Sequence, residues 1–126
     1  VLPVVAVMGD GSFQMDMPEL GTMKQYNIPV KMVLFKNDRL GMVHEHQYLY
    51  YKSNYQMVDL GPEPDFATIA KAYGIKSSEI NENSQVDAAI DEMMADKESY
   101  LLIIDVDPFE PTGDALNENK IAREED

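Results

Sequence analysis

Three runs of the chain are almost continuously apolar: residues 3–7, 30–35 and 100–105. Successive side chains on a strand point to opposite faces, so a run without polar interruption marks a strand buried on both sides. Such strands predict a parallel sheet covered by helices. Between them the apolar positions change to helical spacing, at about residues 18–26, 65–73 and 85–94, with Phe66, Ile69, Ala70 and Tyr73 forming one stripe. Asp65 and Ser84 stand where the N-caps of the second and third helices belong. The alternation of strand and helix predicts an α/β three-layer domain. Residues 48–64 follow neither period. They mix Tyr48, Tyr50, Tyr51 and Tyr55 with Gly61, Pro62 and Pro64, which reads as a long irregular loop of the kind that often carries function.

Composition adds limits. A chain of 126 residues suits one domain, assigned to residues 1–113, followed by a polar tail at 114–126 that only a partner would order. No apolar run approaches the roughly 18–20 residues of a membrane span. With zero Cys there are no disulfides, thiolate ligands or nucleophilic thiols, and a reducing, cytoplasmic location is expected. The net charge of −13 argues against nucleic acid and anionic membrane surfaces as partners. It also implies that a bound phosphate would be neutralised by backbone N–H groups and a metal ion rather than by Lys or Arg. The opening run Val1-Leu2-Pro3-Val4-Val5-Ala6-Val7 lacks the flanks of a signal peptide. A strand at the very start, with no leading Met, is the expectation for a fragment whose domain begins upstream.

The candidate chemistry starts at Gly9-Asp10-Gly11-Ser12, directly after the first predicted strand, where open parallel sheets place their ligands. Glycines there permit a sharp turn and close approach of a ligand, and Asp10 offers a hard oxygen suited to Mg2+. Taken alone, the motif reads as a tight turn with a solvated Asp rather than as a ligand site. The second strand leads into Asn37, so two oxygen donors would converge if the strands are parallel neighbours. Mg2+ takes one or two protein carboxylates and completes its shell with phosphate oxygens and water, which leaves room for a diphosphate.

GDG at residues 9–11 followed by an Asn turn at Asn37 resembles the signature of thiamine-diphosphate enzymes. Ser12-Phe13-Gln14-Met15, Glu19-Leu20-Gly21-Thr22, Asn27-Ile28-Pro29-Val30-Lys31, Leu40-Gly41-Met42-Val43, Pro64-Asp65-Phe66 and Ala70-Lys71-Ala72-Tyr73-Gly74 narrow the resemblance to acetolactate synthase large subunits. It extends from Val1 to about Gly113. It implies a three-layer parallel-sheet thiamine-diphosphate-binding fold, truncated at its N-terminus. It further implies Mg2+ ligation by Asp10, Asn37 and the main-chain carbonyl of Arg39, with Gly9, Asp10, Gly11, Ser12, Asn37, Arg39, Leu40, Gly41 and Met42 around the cofactor. The reaction implied is decarboxylation of pyruvate and condensation with a second 2-keto acid, a transferase reaction of branched-chain amino acid biosynthesis.

The family's catalytic Glu belongs to a pyrimidine-binding domain that this chain lacks, as it lacks the flavin-binding middle domain, so FAD is an option only for a full-length parent. No catalytic residue is assigned here. Glu19 reads as an acid at a helix N-terminus. The active site of the family forms between subunits, which implies a homodimer or tetramer for the complete enzyme and an inactive isolated chain. Two positions depart from the family pattern. Lys36 replaces the first of a pair of Asn, and His46 stands where biosynthetic members carry a Trp that shapes the second-substrate pocket. His44-Glu45-His46, without a third ligand, reads as ordinary loop residues rather than a transition-metal site. Pyruvate oxidases and glyoxylate carboligases share the metal motif and are the nearest alternatives. A phosphoacceptor module, with Asp59 as acceptor, and a non-catalytic truncated module are the more distant ones.

Overall fold

The computed structural model describes residues 2–110 of the chain. Its internal contacts divide it into two units, one formed by Val1–Lys36 and Pro64–Asp105, the other by Asn37–Glu63 and Val106–Asp126. The predicted tail at 114–126 lies outside the described residues.

The first unit holds the sheet. Strands β1 (Val4–Gly9), β2 (Val30–Lys36), β3 (Lys76–Ile80) and β4 (Tyr100–Asp105) are all parallel, in the order β1-β2-β4-β3. Alternation along the inner strands divides the core between the two faces. Met32 and Leu34 of β2 and Leu101 and Ile103 of β4 point to one face, where Phe13, Leu20, Phe66 and Ala70 meet them from helices α1 (Asp10–Asp16), α2 (Glu19–Tyr26) and α4 (Phe66–Ala72). Tyr100 and Leu102 point to the other face and pack with Ala89 and Met93 of α5 (Val86–Ala95). Phe13 and Phe66 meet edge to face at 5.3 Å, locking α1 to α4. The three-layer α/β architecture read from the sequence is therefore the observed one.

Local chemistry accounts for the helix ends. Asp65 caps α4, accepting from the N–H of Thr68 at 2.9 Å and its hydroxyl at 2.6 Å, and these bonds hold its carboxyl below the usual carboxylate range. After α4 the chain turns through Gly74 at φ +72, a left-handed conformation that glycine adopts without a Cβ penalty. Lys31, although only 4% exposed, donates to the carbonyls of Asp96 and Glu98 and so ties β2 to the turn before β4.

Several sequence expectations need correction. Ser84 does not cap the helix at 86–95: a short 3-10 turn, Asn83–Gln85, intervenes, and Glu82 and Gln85 cap it reciprocally while Ser84 donates to Glu82. Residues 10–12 are not a tight turn with a solvated Asp; they open α1, and Asp10 is 1% exposed. The irregular segment begins later than expected, because α3 (Gly41–Tyr50) runs into it.

The two edges of the sheet differ. β1 is not the strand buried on both sides that its apolar run predicts: it lies at an edge of the sheet, with Val4, Val5 and Val7 61%, 44% and 64% exposed. β3 carries Lys76 and Glu79 instead, and Lys76 pairs with Asp96 at 2.7 Å.

Candidate functional site

The sequence placed its candidate ligands on two segments, and the structure places those in different units. Gly9 to Ser12 belong to the first unit. Gly9 ends β1, opposite Phe35 of β2, and Asp10 is the first residue of α1 at the C-terminal end of the parallel strand. One Asp10 carboxylate oxygen accepts the N–H of Gly11 at 2.8 Å, which fixes the side chain over the first turn of the helix, where the helix dipole favours an anion. Gly9 has φ −84 and space beside it: a Cβ there would meet the Phe35 carbonyl oxygen at 3.9 Å, an ordinary contact. Neither torsion nor packing against this neighbour requires a glycine at that position.

Asn37, Arg39, Leu40, Gly41, Met42 and His46 belong to the second unit and lie on one continuous turn and helix. Asp38 takes a left-handed conformation at φ 57, and the Asn37 side-chain oxygen accepts the N–H of Arg39 at 3.3 Å. The turn is closed against the returning chain. Leu40 donates to the Val58 carbonyl and Leu60 to the Asp38 carbonyl, both at 2.8 Å, with Arg39 facing Asp59 in an antiparallel bridge. Gly41 then opens α3. Its lack of a side chain matters, since a Cβ would stand 3.0 Å from Asn37 Nδ2.

The two departures acquire local explanations. Lys36 is the last residue of β2, level with Asp105 of β4, and the two form an ion pair at 3.4 Å across the strand ends. A cation rather than an amide therefore suits that position. His46 lies exposed on α3, with its ring 4.7 Å from that of Tyr50 and 5.8 Å from that of Tyr51. Its neighbour His44 is turned to a different group, stacked on Tyr55 at 4.0 Å with an interplanar angle of 7°. Asp59, the acceptor of the phosphoacceptor alternative, pairs with Arg39 at 3.2 Å in a loop rather than standing at a strand end. Sequence reasoning missed the side-chain role of Arg39 altogether, because nothing in the order of residues shows that Asp59 and Phe109 return to it.

Oxygen donors dominate the candidates: the Asp10 carboxylate, the Asn37 amide and the Arg39 carbonyl are hard ligands, the donor chemistry that Mg2+ and Ca2+ take and that soft transition metals do not prefer. Hard oxygen donors are thus present on both segments.

Comparison with known proteins bears on the same residues. Residues 2–105 match the family model described as thiamine pyrophosphate enzyme, C-terminal TPP binding domain. The chain is 43% identical to the acetolactate synthase isozyme 2 large subunit of Escherichia coli strain K12 over 107 residues, covering 85% of this chain and 20% of that protein. It is 40% identical to a probable acetolactate synthase large subunit of Methanocaldococcus jannaschii, again over 85% of this chain and 18% of the relative. Among solved structures, benzoylformate decarboxylase from Polynucleobacter necessarius superposes with a TM-score of 0.77 at 30% identity, covering 87% of this chain and 21% of that one. The chain thus spans about a fifth of the length of the curated relatives it matches. It belongs to the thiamine pyrophosphate enzymes, as a C-terminal thiamine-pyrophosphate-binding domain similar to that of acetolactate synthase large subunits.

Proposed function

We propose that this chain is the diphosphate- and Mg2+-binding part of an acetolactate synthase acting on pyruvate and a second 2-keto acid. The observation that carries the reading is Asp10, a carboxylate only 1% exposed at the C-terminal end of a parallel strand, within the matched domain. Thiamine diphosphate, when bound, supplies the electron sink for decarboxylation and carbon–carbon bond formation. The chain's own groups hold and orient it. Asp10, the Asn37 side-chain oxygen and the Arg39 carbonyl ligate Mg2+, which neutralises the diphosphate in a chain that carries only 10 Lys and Arg against 23 Asp and Glu. Backbone groups of Gly9, Gly11, Ser12, Leu40, Gly41 and Met42 surround the cofactor. A cofactor held close to Gly9 would give it a reason for lacking a side chain that its protein neighbour does not.

His46 replaces a Trp of the family at the second-substrate pocket with a smaller, polar ring, which leaves pyruvate and 2-ketobutyrate both open as second substrate. The proton-transferring Glu comes from the pyrimidine-binding domain of another subunit, so the complete enzyme is oligomeric and the isolated chain produces no acetolactate. The structural similarity to benzoylformate decarboxylase favours, as a second reading, a 2-keto acid decarboxylase that releases an aldehyde.

Calorimetric titration with thiamine diphosphate tests the reading: binding to the chain should require Mg2+, and Asp10→Ala should weaken it at least tenfold. Unchanged affinity in that variant would remove Asp10 from the ligand set. In the complete enzyme, acetolactate formed from pyruvate supports the synthase, and acetaldehyde in its place supports the decarboxylase.

A further inference from the structure

The Arg39 side chain does something separate from the ligand role given to its carbonyl. Its guanidinium reaches three stretches of the second unit that are far apart in sequence. Nη2 pairs with Asp59 Oδ1 at 3.2 Å, Nη1 lies 3.3 Å from His44 Nε2 on α3, and the guanidinium carbon sits 4.5 Å from the centre of the Phe109 ring. Those partners are themselves organised. His44 stacks on Tyr55 and meets Phe109 edge to face at 6.1 Å. Gln47 and Gln56 exchange hydrogen bonds at 2.9 and 3.1 Å, clipping the same loop to α3 a turn further on. The Arg39 side chain is 16% exposed although Asp59 is 72% exposed, so the guanidinium is the inner member of the pair.

We propose that Arg39 is a positioning residue, whose guanidinium holds the returning segment 58–60 and Phe109 in place and thereby fixes the Asn37 to Gly41 turn before any cofactor binds. The inference rests on the cofactor-binding reading above. Asp38 supplies the need for such a device, because a non-glycine residue at φ 57 persists only where its surroundings over-determine it. The backbone bonds of Leu40 and Leu60 are that determination, and Arg39 stands between them. Arginine suits the task and lysine does not: a planar fork can pair with a carboxylate, contact an imidazole and stack on a ring at once, whereas an ammonium is a single point charge.

The test is hydrogen exchange on the ligand-free chain together with calorimetry using thiamine diphosphate and Mg2+. Arg39→Met should speed exchange of the Leu40 and Leu60 amides at least tenfold, leave the Leu101 to Ile103 amides of β4 as protected as in the wild type, and weaken cofactor binding about tenfold. Arg39→Lys, which keeps the charge for Asp59, should fall between the two, and it serves as the informative variant if Arg39→Met does not fold. Wild-type exchange at Leu40 and Leu60 in both variants overturns the role, as does loss of protection throughout β4. Failure of the wild-type chain to bind the cofactor would instead refute the proposed function, while the exchange result would still decide the role of Arg39 in holding the turn.

Discussion

Replacing Gly41 with alanine should separate folding from binding. Gly41 is the first residue of α3 and has no positive φ, so alanine fits its torsions. In a helix the exchange contributes up to about 1 kcal/mol through the reduced freedom of the unfolded chain. The added methyl, however, would lie 3.0 Å from Asn37 Nδ2, several tenths of an ångström inside ordinary contact. The half-buried Asn37 amide can yield by rotating, at a cost of about 0.5–1.5 kcal/mol for a displaced rotamer. The two effects oppose each other, and the urea midpoint should change by less than about 1 kcal/mol equivalent. Binding has no such compensation. Mg2+ tolerates little displacement of its ligands, so returning the amide to its place costs the same 0.5–1.5 kcal/mol, roughly a two- to twelvefold loss of Mg2+-dependent affinity for thiamine diphosphate. Denaturation curves and calorimetry on the same preparation measure both. Full affinity in a normally folded variant would refute the view that the Asn37 side chain has to stay where the structure puts it.

Two further outcomes concern the first unit. Lys31→Met should destabilise the fold by about 1–3 kcal/mol in urea denaturation, because the Asp96 and Glu98 carbonyls lose the donor that a buried ammonium now provides; a midpoint equal to the wild type would show that water replaces it freely. The Lys76–Asp96 pair should give stability a pH signature. Its hydrogen bond lowers the Asp96 pKa and raises that of Lys76. The Asp96 contribution is therefore present above the ordinary Asp value of about 4 and lost as pH falls through the lowered one, and the Lys76 contribution is lost only as pH rises beyond the ordinary Lys value of about 10. Denaturation midpoints followed from pH 5 downward should fall less steeply in Asp96→Asn, and identical slopes would show that the pair is not linked to folding.

What could be read from the sequence followed apolar pattern, whether or not the strand that carries it is buried. β1, β2 and β4 were visible because their runs are apolar but for Lys31 inside β2 and the polar residues at the ends of β2 and β4, and α4 because Phe66 and Ala70 recur at helical spacing behind a capping Asp65. β3 went unread: Lys76-Ser77-Ser78-Glu79-Ile80 is an edge strand in which only Ile80 is buried, so pairing with β4, not hydrophobic pattern, holds it. α3 buries none of its residues and gave the period nothing to act on. At the candidate site, Asp10 and Asn37 were singled out by residue type together with the family resemblance. The burial of Asp10 did not follow from them, since a GDGS turn and a GDGS helix start look alike in sequence. The Arg39 cluster was out of reach for a different reason, as it depends on chain segments that meet only after folding.

The unlike edges of the sheet bear on how the protein behaves in concentrated solution. Among the described residues β1 is an edge strand with main-chain donors and acceptors along a rim studded with valines and free of charge, a template on which another extended segment can be laid down. The opposite rim carries its own deterrents in Lys76 and Glu79. Mutual repulsion between chains bearing a net charge of −13 opposes such joining, a long-range force that dissolved salt screens within about 10 Å at 0.1 M. Raising the ionic strength should therefore favour association of copies along this rim, and dilute buffer should oppose it.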